Sequence, residues 1–306
     1  MSTPSDPAAQ PGPVRLRLPA TSANLGPGFD ALGLAMGLHL TIEAQVADTG
    51  AFHIDATGRN ADACSSIENN LILTTYMDVL ANAGKLSPRL ALKLHNEIPL
   101  GMGCGSSAAA LLAGVLLANH FGNLGWSRQH LLEEACRREG HPDNVAACFY
   151  GGMTVSSMDK NAVFTATYRE DLKWKLLLAL PSASLSTSKS RGMLPAHYSR
   201  EDTVLNIQST ALLVSAFALR RGDLLATAMR DRVHQPYRMH ACPLLARLLP
   251  LSGTPGFLGV ALSGAGPSVL MITESSLSEL LPRIREAVRD PGVEILETII
   301  AGGAEF

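Results

Sequence analysis

The stretch Gly101-Met102-Gly103-Cys104-Gly105-Ser106-Ser107 sets a glycine at every second position and runs straight into Ala108–His120, an apolar segment free of Asp, Glu, Lys and Arg. A segment of that composition reads as a buried helix, so the fold must build a core around it and enter it through glycines. Ala108–Ala118 is too short to cross a bilayer. Glycine permits positive φ and close backbone approach. The first turn of a helix offers N–H groups that lack intrahelical acceptors, at the positive end of the helix dipole. Together these make an anion site suited to polyphosphates. The plainer reading is a tight turn in which Ser106 or Ser107 caps the helix. Two familiar phosphate loops are excluded. No lysine precedes the serines, as G-x-x-x-x-G-K-[ST] requires, and no acidic residue follows a second strand at the distance a dinucleotide fingerprint needs.

The bulk numbers leave any anion site to local structure. The 306-residue chain is 46% hydrophobic and 17% charged, with a formal net charge of -2 and no dense Lys/Arg stripe. It is therefore a globular chain with a substantial core, and neither nucleic acid nor an anionic membrane is an expected partner. The cysteines (Cys64, Cys104, Cys136, Cys148 and Cys242) are odd in number and form no C-x-x-C pair. Free thiols in a reducing cytoplasm are the expectation. Residues 1–13 are rich in Pro, Ser and Ala and lack the basic start and apolar stretch of an export signal, so they read as a flexible tail.

Alternation from Val14 to Leu18 predicts a strand ended by Pro19, followed by a turn-rich loop over Thr21–Asp30. Further strands are expected at His39–Val46, Leu90–Leu94, Trp174–Leu180, Gly256–Leu262, Val269–Thr273 and Val293–Ile300. Helices are expected from Asn69 to about Asn82, at Ala108–His120, at Arg128–Glu139 with Ser127 as N-cap, and at Thr203–Arg220, Leu224–Arg230 and Leu277–Arg289. Strands and helices mix without a regular βαβ alternation, which predicts an α+β fold rather than a doubly wound sheet. A boundary near Asp171 would divide 14–170 from 171–306.

Three glycine-bearing blocks, in order, carry a resemblance to a known family. Pro99-Leu100-Gly101-Met102-Gly103-Cys104-Gly105-Ser106-Ser107-Ala108 resembles the ATP-binding signature of the GHMP kinases, whose core is G-L-G-S-S-A, with Cys104 in the leucine position. Pro19-Ala20-Thr21-Ser22-Ala23-Asn24-Leu25-Gly26-Pro27-Gly28-Phe29-Asp30 resembles the first motif as the homoserine kinases of that superfamily write it. Gly259–Ser268, which includes Gly264 and Gly266, resembles the third motif. The resemblance runs from about Val14 to the C-terminus. It implies two α+β domains, the first ribosomal protein S5 domain 2-like and the second ferredoxin-like, with ATP held between them by residues 99–108, Gly264 and Gly266. Asn70 matches a family position near adenine; read on its own it is a helix N-cap.

Three further blocks narrow the acceptor. His141-Pro142-Asp143-Asn144-Val145-Ala146, Ser186-Thr187-Ser188-Lys189-Ser190-Arg191 and Gln235-Pro236-Tyr237-Arg238 resemble blocks of the homoserine kinases. They depart from them at Ala147 (usually Pro), Ser190 (Ala) and Gln235 (Glu). The acceptor implied is L-homoserine, with a carboxylate, an ammonium and a hydroxyl. Guanidinium forks suit the carboxylate, so Arg191 and Arg238 are assigned to it. Asn24 and Asp30, together with Thr187, are expected near the hydroxyl and Asp143 near the ammonium, with His141 and Asn144 completing the group. Mg²⁺ would take Ser107 and a carboxylate. Glu133, Glu134 and Glu139 compete for that place, and Glu139, next to the His141 block, is favoured. Some relatives carry an Asp base where this chain has Asn144, so direct in-line attack without an obligatory base is expected. The resemblance implies a cytoplasmic enzyme of threonine biosynthesis, with a homodimer as a family-level expectation. Two alternatives stand beside it: a GHMP kinase for another small alcohol, and a nucleotide-binding regulator of the same fold.

Overall fold

In the computed structural model, residues 11–169, 172–183 and 190–306 are described. The expected boundary at Asp171, Thr187 with most of its block, and residues 1–10 of the expected tail lie outside them.

The first half of the chain runs β1 (Val14–Ala23), β2 (Leu32–Val46), β3 (His53–Gly58), α1 (Ala61–Ser65), α2 (Leu71–Asn82), β4 (Leu90–Asn96), α3 (Ser106–Phe121), α4 (Arg128–Glu139), α5 (Asp143–Tyr150), β5 (Met153–Asp159) and β6 (Ala162–Tyr168). Its sheet has the order β3-β4-β2-β5-β6, with β1 paired to β2. The β3–β4 pair is parallel and the others are antiparallel. Helix α3 is the buried one the sequence demands. Leu112, Ala113, Val115 and Leu117 are fully buried around its circumference, where an amphipathic helix would keep a polar face. Asn70 and Ser127 cap α2 and α4, each side-chain oxygen accepting from backbone N–H groups one turn in.

The second half continues with β7 (Lys175–Leu180), α6 (Arg200–Ala218), α7 (Leu225–Ala228), α8 (Gln235–Arg238), α9 (Pro243–Leu248), β8 (Phe257–Leu262), β9 (Val269–Thr273), α10 (Leu277–Val288) and β10 (Glu294–Thr298). Its sheet is antiparallel with order β10-β7-β9-β8. Renumbered within this half the order is 4-1-3-2, the split-βαβ arrangement of ferredoxin-like folds. The α+β class and both expected sub-folds are thus present. The last residues return to the first sheet, with bridges from Ile300 to Met36, Gly302 to Gly151 and Glu305 to Arg17.

Two local expectations are corrected. Pro19 does not end β1; the strand passes through it to Ala23 and the register slips between Pro19 and Ala20. A residue without an N–H is tolerated at such an irregularity. The β5–β6 hairpin and β3 were not anticipated. Their Ser, Thr, Asp and His residues alternate with few large apolar side chains, and Phe164 stands 68% exposed, so the two-residue period is weak.

Helices α2 and α3 touch through Gly114, where an added Cβ would meet the Thr75 side chain and the Ile72 carbonyl. Gly→Ala inside an exposed helix stabilises by about 0.5–1 kcal/mol. Here Gly114→Ala is expected to destabilise, by about 1–2 kcal/mol net, because overpacking dominates. Urea denaturation measures the sign.

Candidate active site

A cleft of about 480 Å³ opens where the two halves meet, a size ordinary for small-molecule sites. Its floor is made of the three glycine-bearing blocks, which bond directly to one another. The Ser263 hydroxyl lies 2.7 Å from the Gly103 carbonyl and 2.9 Å from the Ser22 hydroxyl. The Gly264 N–H donates to the Ala23 carbonyl at 3.2 Å, and Thr21 N–H to the Cys104 carbonyl at 3.0 Å. Gly103 (φ 74°) and Gly105 (φ 70°) are both left-handed. A Cβ at Gly103 would collide with the Ser263 carbonyl, and one at Gly105 with Thr21 Oγ1. Glycine is required at both for conformation and for space.

Gly105 occupies the N-cap position of α3, with no side-chain cap. The plainer reading of Ser106 or Ser107 as the cap is therefore displaced; both lie inside the first turn. The N–H groups there have no intrahelical acceptor and open on the cleft, at the positive end of a helix 16 residues long. Ser107 Oγ donates to Glu139 Oε1 at 2.9 Å. Burial pushes the Glu139 carboxyl above its ordinary range, partly offset by His141 and the Ser107 bond. Glu133 is turned to Gln129 and the Val163 backbone, and Glu134 to Arg137 and Arg138. Of the three competitors only Glu139 reaches the cleft. A hydroxyl and a half-buried carboxylate beside the glycine turn are hard oxygen donors, a set that fits Mg²⁺.

One end of the cleft is apolar, lined by Leu40, Cys64, Ile72, Leu94 and Ile98. Asn70 borders it, but its amide is engaged. Oδ1 accepts from the N–H groups of Ile72 and Leu73, and Nδ2 donates to the carbonyls of Cys64 and Ser66.

The other end is charged. Arg191 forms a two-pronged ion pair with Asp30, at 3.0 and 2.6 Å. His141 Nδ1 lies 2.6 Å from Asp143 Oδ1, which also accepts the Asn144 N–H at 2.7 Å. Asp30, His141 and Asp143 each bring a ligand-capable atom within 4.8 Å of the others. Burial alone would push the His141 imidazole down. Its bond to Asp143 and the carboxylates of Asp143, Glu139 and Asp30 outweigh that and hold it above its usual value. Thr21 Oγ1 donates to Asn144 Oδ1 at 2.7 Å. Asn24 is a brace: Nδ2 donates to the Gly264 carbonyl and Oδ1 accepts from the Asp30 N–H, both at 3.1 Å.

Arg238 is the exception among the charges. It borders the cleft yet is 1% exposed. Its Nε donates to the Ser190 carbonyl (3.3 Å) and its Nη1 to His234 Nδ1 (3.1 Å) and the Gly264 carbonyl (3.3 Å). All three acceptors are neutral. Among the described residues no carboxylate forms an ion pair with it. Desolvation, then the Arg191 charge, push its pKa below the usual arginine value, although a guanidinium stays protonated there.

The family pattern described as the N terminal domain of GHMP kinases matches residues 70–152, and the one described as GHMP kinases C terminal matches 213–290. A homoserine kinase of Solibacter usitatus is 46% identical over 274 residues, covering 88% of this chain and 89% of the relative. The chain belongs to the homoserine kinase family. A second member, from Desulfitobacterium hafniense, is 40% identical over 87% of this chain and 89% of its own length. The crystal structure of homoserine kinase from Cytophaga hutchinsonii superimposes with a TM-score of 0.79 over 99% of both chains; at 22% identity it speaks for the fold.

Against that family's motifs, some expected residues do not line the cleft. Gly101, Gly103 and Gly105 face it, while Met102 and Cys104 between them turn away. Cys104 is 1% exposed, and burial pushes its thiol up to about 12. Pro99, Ala108 and Gly266 are likewise packed behind the lining. Phe29 was missed. Its ring centroid lies 5.3 Å from the Arg191 guanidinium carbon and 5.4 Å from that of Arg238, within cation–π range of both. A bulky aromatic between Gly28 and Asp30 in a turn-rich loop was the available signal. Asn96, whose side chain ties Arg59 and Ile98 together at the apolar end, gave none.

His141 generates a pH prediction. Its folded-state pKa lies above the unfolded value, so its stabilisation is fully present below about pH 6.5 and is lost as pH rises through the folded-state value. The melting-temperature gap between wild type and His141→Gln is therefore expected to be larger at about pH 6 than at about pH 9. Thermal melts at both pH values read it.

Proposed function

We propose that the chain transfers the γ-phosphoryl group of ATP to the hydroxyl of L-homoserine, giving O-phospho-L-homoserine. The observation that carries this reading is Arg238, a buried guanidinium at the cleft whose described partners are all neutral. A buried charge without a carboxylate in direct contact is costly, Asp30 and Asp231 nearby offset that only in part, and a substrate carboxylate would remove the remainder on binding. A galactose-like sugar or another uncharged alcohol offers no such group.

The remaining parts fall into place around it. The apolar end of the cleft takes the adenine, and the N–H groups of the glycine turn and of α3 take the phosphates. Ser107 and Glu139 would hold Mg²⁺, which when bound neutralises charge on the β- and γ-phosphate oxygens. Asp143 and Asp30 suit the ammonium of the acceptor. Arg191, held by Asp30, stands as a second positive charge for the carboxylate and becomes free for it only by loosening that pair. Asn24, with both amide ends engaged, shapes the turn that carries Asp30 rather than meeting the hydroxyl itself. Asn144, an amide, takes no proton at neutral pH, so the hydroxyl attacks directly in line. Rate comes from positioning and charge stabilisation. No helix among the described residues is long and apolar enough to cross a membrane. A cytoplasmic location goes with this reading, supported by cysteines that are all free. A role in threonine biosynthesis and a homodimer are carried over with the family.

The test is ADP release with ATP and Mg²⁺ over a panel of L-homoserine, mevalonate, galactose, shikimate and L-serine. Turnover is expected with homoserine and at background with the rest. Turnover on another alcohol keeps the fold and discards the substrate. ATP binding without turnover on any member favours a regulator. Glu139→Gln is expected to raise the Mg²⁺ concentration for half-maximal rate at least about tenfold, since it removes the charged ligand. An unchanged Mg²⁺ profile contradicts Glu139 as ligand.

A further inference from the structure

A histidine that directly precedes the Gln235–Arg238 block, and borders no part of the cleft, deepens the reading of Arg238. His234 is 0% exposed. Its Nε2 lies 2.8 Å from the Gly26 carbonyl, and its Nδ1 lies 3.1 Å from Arg238 Nη1. Hydrogen-bond chemistry fixes the proton. A carbonyl only accepts, so Nε2 must carry the hydrogen; a guanidinium only donates, so Nδ1 must be bare. His234 is therefore a neutral imidazole in its Nε2–H form. A second proton would set an N–H against the guanidinium N–H.

The ring is held in that place from several sides. Asp231 accepts from the backbone N–H groups of Val233, His234 and Gln235 at 2.8, 3.0 and 2.6 Å, which fixes the turn entering α8. Gln235 Oε1 accepts the Leu262 N–H at 2.7 Å and ties α8 to β8. Phe29 packs against the ring, with centroids 5.5 Å apart. The Gly26 carbonyl belongs to the same turn that carries Asp30. His234 thus joins the β1–β2 turn of the first sheet to Arg238 of the second half.

We propose that His234 is a positioning residue for the acceptor: as a neutral acceptor in direct contact it aims the Arg238 guanidinium at the cleft without itself forming an ion pair, which leaves the guanidinium available to the substrate carboxylate. A carboxylate at this position would bind Arg238 just as firmly and cancel the charge the substrate needs. This inference rests on the homoserine reading above, but its first test does not.

Nitrogen-15 NMR of the imidazoles in the full-length protein at neutral pH is expected to show His234 with a protonated Nε2 and a bare Nδ1. The opposite tautomer or an imidazolium overturns the proposal whatever the substrate. Steady-state kinetics then separate positioning from mere structure. His234→Leu, which loses the acceptor, is expected to raise KM for homoserine about 10–100-fold, the worth of a hydrogen bond to a charged group. KM for ATP should stay within about twofold. His234→Asn, which can offer an oxygen near the Nδ1 position, should recover most of the loss. His234→Glu should lose homoserine binding while keeping ATP binding. Equal changes in both KM values, or no advantage of Asn over Leu, mark a structural role and overturn the proposal while homoserine turnover by wild type upholds the function. Wild-type protein that turns over another alcohol and not homoserine overturns the function and this proposal with it.

Discussion

Everything at this cleft depends on a place where backbone packs on backbone. Gly103 of the glycine turn lies so close to Ser263 and Gly266 that no Cβ fits between them. Gly105 leaves as little room beside the Thr21 side chain. These contacts join the first sheet, the entry to α3 and the β8–β9 turn of the second sheet. The N-terminus of α3 is thereby held at a fixed position relative to Arg238 and Gly264, which come from the other half of the chain. A phosphoryl donor and an acceptor must meet within a few tenths of an ångström of the right geometry. Rigid backbone contacts meet that demand better than long side chains do. The hydroxyls of Ser22 and Ser263, both fully buried, complete the joint with short hydrogen bonds.

The electrostatics of the cleft complement anions at two places and a cation at a third. The start of α3 has N–H groups without acceptors, Glu139 is a carboxyl pushed up by burial, and Arg238 is a buried cation among neutral acceptors. Each carries a cost that, on the proposed reading, a polyphosphate, a divalent cation and a carboxylate respectively relieve. Ion pairs that are already satisfied sit around these groups as supports. Arg191 with Asp30 and His141 with Asp143 hold the acidic corner in place. His234 does the same for Arg238 without charge. The buried acceptor therefore distinguishes the two arginines that the sequence presents as equivalents.

The sequence made legible what only one residue type can do. Positive φ and a missing Cβ identify Gly103 and Gly105 in advance, and an uncharged run identifies α3 as buried. The resemblance to the family also brought Asn24, Asp30, Glu139, His141, Asp143, Asn144, Arg191 and Arg238 to one site, and all of them border the cleft. What it left unread depends on direction rather than identity. Asn24 and Asn70 face the cleft but bond to backbone, since an Asn amide serves a turn or a helix start as readily as a ligand. Met102 and Cys104 belong to the turn, yet alternate to its other side. Pro19, a strand breaker by rule, sits at a register slip inside β1. His234 stands four residues before Arg238, and nothing in that spacing tells which ring nitrogen faces the guanidinium or that the other reaches back to Gly26.

The central claim is that Arg238 reads the acceptor's carboxylate. It is tested most directly by comparing kcat/KM for L-homoserine with that for 3-aminopropan-1-ol, which keeps the amine and the hydroxyl and lacks the carboxylate. The comparison is made in wild type and in Arg238→Met, whose apolar side chain preserves much of the buried volume. The account predicts a wild-type preference for homoserine of at least about 100-fold, because a buried polar site left unpaired rejects the truncated compound strongly. In folded Arg238→Met that preference should collapse toward unity. A preference that survives the substitution undiminished would contradict it.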